Sequence, residues 1–167
     1  MEKLETFEGK NINEQDFSYE HFDAMYQKAQ LDLEDFLSKD KEIIDNDPEN
    51  KKSYKSSETK RQEKLIGVLK NKLQLIKILD SHIALENTLY QELSEIENKD
   101  EIRKKEHDIE ISQEVINYLK DYIVNKVILK NEFKNGMSFL NLEGYDSGLL
   151  EEVNTQIDLI KKRMSWE

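Results

Sequence analysis

The chain has 167 residues, a formal net charge of −11, charged side chains at 37%, one proline and no cysteine. The absent thiols exclude disulfides and thiolate metal sites, and the scarcity of Gly and Pro argues against a sandwich or barrel. No apolar run approaches the roughly 18 residues of a membrane span, and the polar start Met1–Glu5 carries no signal-peptide pattern, so a cytoplasmic protein without a membrane is expected.

Residues 1–15 read as a flexible acidic arm in which Leu4, Phe7 and Ile12 are available to dock. Residues 16–167 read as a single helical domain. Asp16 or Ser18 offers a cap for a first helix over about 17–45, where Tyr19, Phe22, Tyr26, Ala29, Leu33, Phe36 and Ile43 recur at helical spacing. Asp40 falls on that apolar stripe and interrupts it. Asn46-Asp47-Pro48 is turn chemistry, and residues 46–57, polar and without periodicity, read as a linker.

A second helix is predicted over about 58–96. It is apolar on more than one face, through Leu65, Ile66, Val68, Leu69, Leu73, Leu75, Ile76 and Leu79, which places it at the centre of the fold. Within it Leu69, Ile76, Ile83 and Tyr90 repeat every seven residues; Ile102, Ile109, Ile116 and Ile123 do the same further on. The two stripes are out of phase, and polar Glu97–Asp100 separates them. The expected solution is an antiparallel, coiled-coil-like hairpin pairing 69 with 123, 76 with 116, 83 with 109 and 90 with 102. One unbroken rod, which would have to form a homodimer to cover its stripes, is the alternative.

Asp100 is the expected cap of the third helix, over about 101–133, and Lys134-Asn135-Gly136 its stop. Residues 136–148 form an apolar loop. A last helix over about 147–164, capped by Asp146 or Ser147, carries Leu150, Val153, Ile157, Ile160 and Met164 at helical spacing, with Lys161, Lys162 and Arg163 favouring its C-terminal dipole. The fold class is therefore all-α: a four-helix bundle built on a long antiparallel hairpin.

Chemistry is sparse. His21, His82 and His107 lie far apart, and none has the Glu three residues before it that di-metal bundles use, so no metal and no cofactor are expected. Arg103 and His107 resemble the Arg-x4-6-His element of HEPN ribonucleases, but three residues separate them and the spacing falls one short. No phosphate-binding loop, nucleophile elbow or zincin motif occurs. No catalytic residue is assigned, and the chain is not expected to be an enzyme.

Charge is segregated: residues 1–50 carry a net −10, residues 51–77 a net +7 and residues 78–167 a net −8. The basic stretch, with Lys60, Arg61, Lys64 and Lys72, suggests a phosphate-backbone patch, although the overall charge opposes nucleic acid. The acidic first helix suggests instead an acidic mimic of nucleic acid that blocks a nucleic-acid-binding protein. The leading expectation is a non-enzymatic protein–protein interaction module, an adaptor, chaperone or inhibitor. It acts through a helical face or the 136–148 loop, with Phe139, Leu140, Leu142 and Tyr145 as partner-binding residues; the competing role for that loop is a lid on the bundle.

Overall fold

The computed structural model describes residues 3–5 and 11–165. Among the described residues the protein is mostly helical, with four α-helices and two small two-stranded sheets. Strands β1 (Lys3–Glu5) and β2 (Asn11–Asn13) pair antiparallel and lead through a 3-10 turn at Glu14–Phe17 into α1 (Tyr19–Asn46). The arm expected over 1–15 thus contains a short ladder where it is described, and Phe7 lies outside the described residues.

Ser18 caps α1, its hydroxyl accepting from the His21 N–H at 3.3 Å. α1 ends before Pro48, as turn chemistry requires. Helix α2 (Ser57–Glu95) starts at Ser56, whose hydroxyl accepts from the Thr59 N–H at 3.1 Å. Asp40, the residue that interrupts the apolar stripe of α1, explains itself here. It is only 4% exposed, and its carboxylate accepts from the Thr59 hydroxyl at 2.6 Å and the Ser56 N–H at 3.2 Å. A buried carboxylate is tolerated when donors satisfy it, and this one joins the far end of α1 to the free N–H groups that open α2.

Helix α3 (Lys99–Lys126) follows a break at residues 96–98 and is capped by Asn98, not Asp100: the Asn98 side chain accepts from the N–H groups of Asp100 (2.9 Å) and Glu101 (3.3 Å). Along its length α3 lies against α2. The Ser112 hydroxyl reaches the His82 carbonyl at 3.5 Å, the Gln113 amide donates to the Tyr90 hydroxyl at 2.9 Å, and Lys105 meets Glu92 at 3.5 Å.

The expected third helix is too long by seven residues. Residues Ile128–Lys134 are strand β3, which pairs antiparallel with β4 (Met137–Glu143) in the register Leu129 with Leu142, Asn131 with Leu140 and Phe133 with Ser138. Asn135 (φ 54°) and Gly136 (φ 76°) turn the ribbon. Two consecutive left-handed residues of the Asn-Gly type make the two-residue turn whose twist matches flanking strands. The signal that reads as a helix stop is therefore a strand-to-strand turn, and the expected 136–148 loop is for half its length a strand.

Helix α4 (Leu149–Arg163) starts at Gly148 with no side-chain cap; neither Asp146 nor Ser147 caps it through a side chain. The core runs through the middle of the molecule. Val68, Leu69, Leu75, Ile76 and Leu79 of α2 meet Val115, Leu119 and Ile123 of α3, Val153 and Ile157 of α4, and Phe22 and Ala29 of α1. α2 touches α1, α3, α4 and both long strands, which is why it is apolar on more than one face. Asp80 and Asn87, near that stripe in the sequence, are exposed.

Candidate interaction site

The β3–β4 ribbon has two faces because side chains alternate along a strand. On one, Leu129 and Leu142 form a cross-strand pair that packs on the helical core, with Asn131 and Leu140 beside them. On the other lie Met137, Phe139 and Glu132. The end of the ribbon extends past its support. Phe133 is 77% exposed, Met137 72% and Phe139 38%, and Phe133 points to the opposite side from the other two. Lys130 and Lys134 sit on the Met137 side.

The four residues expected to form one partner-binding loop are thus distributed. Leu140 and Leu142 are half-buried on the inner face, and Phe139 stands near the tip. Tyr145 lies beyond the ribbon, in a segment held to α2. There the Asn71 amide, buried, donates to the carbonyls of Gly144 (2.8 Å) and Asp146 (3.0 Å). Gly67 leaves room for the Tyr145 backbone: a Cβ at 67 would stand 2.9 Å from the Tyr145 carbonyl oxygen. Gly144, at φ 84°, lets the chain pass Lys126, whose carbonyl oxygen would be 2.6 Å from any Cβ. The Lys64 ammonium sits 5.2 Å above the Tyr145 ring. Sequence reasoning missed Phe133 and Met137, because a helix ending at Phe133 buries the first and a loop makes the second unremarkable. The Asn135-Gly136 dipeptide between alternating apolar residues was the available signal.

The basic stretch is engaged within the fold only in part, and Lys52, Lys60, Arg61 and Lys70 are exposed. Lys72 is 6% exposed with its ammonium 4.5 Å over the Phe22 ring. Lys77 lies over Tyr19 at 5.5 Å, Lys51 over Tyr54 at 5.3 Å, and Lys55 pairs with Glu63 at 2.9 Å. Desolvation pushes the Lys72 amine below the ordinary lysine value, a shift that the charge of Asp16 opposes.

The histidines are separate. His21 stacks edge-on against Phe22 at 5.0 Å. The His107 ring bonds the Met164 carbonyl and lies 3.7 Å from Glu110. His82 faces a groove of about 360 Å³ between α2, α3 and α4, with Leu85, Leu89, Ile111 and Lys161. Burial, with Lys161 adding to it, holds that imidazole below its usual range. Among the described residues no group of three or more His, Asp or Glu is placed to hold a metal ion, and no helix is long and apolar enough to cross a membrane.

No protein-family model, curated protein or solved structure matches this chain.

Proposed function

We propose that this chain is a non-enzymatic protein–protein interaction module: a four-helix bundle, built on an antiparallel hairpin of α2 and α3, that presents the β3–β4 ribbon to a partner protein in the cytoplasm. The observation that carries the reading is the ribbon end, where Phe133 and Met137 stand 77% and 72% exposed on opposite faces. Apolar side chains clustered in water on a structured projection mark an interaction surface. Because they point both ways, a flat face covers only one of them. The partner suited to the ribbon is one whose cleft closes on both sides.

The test compares tagged wild type with the double variant Phe133→Ser, Met137→Ser. Serine at either exposed position removes little buried contact, so equal helicity and equal Tm are expected, with a partner captured by wild type alone. Identical captures by both proteins would sink the ribbon as the contact. Nucleic-acid binding through residues 51–77 is the weaker reading, since a chain of net charge −11 repels nucleic acid at long range and Lys72 of that stretch is buried.

A further inference from the structure

A cavity of about 460 Å³ opens between the start of α1, the middle of α2 and the inner face of the ribbon. Met25, Leu65, Leu129 and Leu140 form its apolar walls, and Asn131 adds a polar side chain. Three groups able to carry protons line it as well, Asp16 from the 3-10 turn, His21 from α1 and Lys72 from α2. A space of this size that joins apolar walls to convergent polar groups has the make-up of a small-molecule site.

Lys72 is the unusual member. Lysine is almost never fully buried, yet this one is 6% exposed, on a helix whose Leu69, Leu73, Leu75 and Ile76 are buried, with its nitrogen 4.5 Å over the ring of Phe22. Its neighbour Lys70 is exposed on the same helix. Placement in an apolar pocket is the means by which lysines become nucleophiles toward carbonyl compounds, because desolvation favours the neutral amine. The lowered amine affinity for protons noted above has that same cause.

We propose that this cavity captures an apolar aldehyde or ketone as an imine on Lys72. The Nζ lone pair adds to the carbonyl carbon while the carbon–oxygen π pair moves to oxygen, which takes up a proton as nitrogen loses one. The carbinolamine then expels its hydroxyl as water and the carbon–nitrogen double bond forms. One amine and one carbonyl give one imine and one water, without oxidant or reductant, and the step is reversible. Asp16 and His21 are the side chains in the cavity able to hand protons between nitrogen and oxygen, and the apolar walls set the preference for an alkyl or aryl substituent.

The experiment uses the whole chain, limiting octanal and sodium cyanoborohydride near neutral pH, with peptide mass mapping of the trapped amines. Lys72 is expected to be alkylated roughly tenfold or more faster than Lys70, because the walls hold the carbonyl beside its nitrogen. Octan-1-ol, which fills the walls and forms no imine, is expected to slow Lys72 and leave Lys70 unchanged. Glyoxylate, small and charged, is expected to show no preference for Lys72. A lysine buried for structural reasons alone would be protected, so alkylation of Lys72 at or below the rate of Lys70 overturns the proposal. So does indifference to octan-1-ol, or an equal preference shown by glyoxylate.

Discussion

Single side chains here do work that their positions in the sequence disguise. Asp40 looks like an error in an apolar stripe and is a tie between two helices. The Thr59 hydroxyl holds its carboxyl below the ordinary carboxylate value, with burial opposing and the Ser56 bonds assisting. The unfolded chain therefore takes up a proton on this group more readily than the folded one. Its contribution is complete above the unfolded value of 3.8 and is lost as pH falls through the lower folded value. Asp40→Asn should lower Tm most at neutral pH, and the gap from wild type should close as melts are taken to acid; a constant gap would deny the linkage. Lys72 works in the other direction. Desolvation makes its charged form costly, so Lys72→Met, which keeps the stem and drops the charge, is expected to raise Tm at neutral pH. That gain should shrink as pH climbs toward the ordinary lysine value of 10.5, because the wild-type amine sheds its proton earlier when folded. Denaturation followed across pH reads both effects.

Elements were legible to the extent that period and capping agree. The seven-residue stripes and the polar break near Asn98 mark α2 and α3 because long helices bury one face each and leave their ends to side-chain oxygens. The ribbon was not legible for a physical reason. Val127 continues the stripe of Ile109, Ile116 and Ile123 in phase, and it is buried with them, so nothing apolar signals that the helix has stopped at Lys126. The candidate partner residues Phe139, Leu140, Leu142 and Tyr145 could not be told apart in the sequence, and of the ribbon's three Phe139 is the exposed one. The burial of Leu140 and Leu142 needed the strand register, and the holding of Tyr145 needed α2, some seventy positions earlier in the chain. Gly67 and Asn71 test that hold. Alanine at an ordinary mid-helix glycine stabilises by about 1 kcal/mol. Gly67→Ala should instead destabilise, since its methyl meets the Tyr145 carbonyl. Asn71→Ala leaves two carbonyls without their donor and should cost about 1–3 kcal/mol. Urea unfolding measures both, and a stabilised Gly67→Ala would show that the segment yields freely.

At the scale of the molecule, α2 is the common wall on which α1, α3, α4 and the ribbon all pack. Truncating its partners should be costly: Leu119→Ala or Ile123→Ala, both fully buried, should each cost about 2–5 kcal/mol, far more than any change at the ribbon end. A cooperative loss of helicity in such variants, by circular dichroism, is the expected form of failure. The tight turn at Asn135–Gly136 has one more consequence. It is the farthest part of the covalent path from α3 to α4, and nothing lies within 4 Å of the Cβ position at Gly136. Each strand beside it is anchored independently, one by the run-on from Val127 and the other by the clasp at Gly144. A chain severed there would leave β4 and α4 packed on the half that contains α2, so two fragments made separately should reassemble into the whole, and new termini could be opened at that point without disturbing the rest.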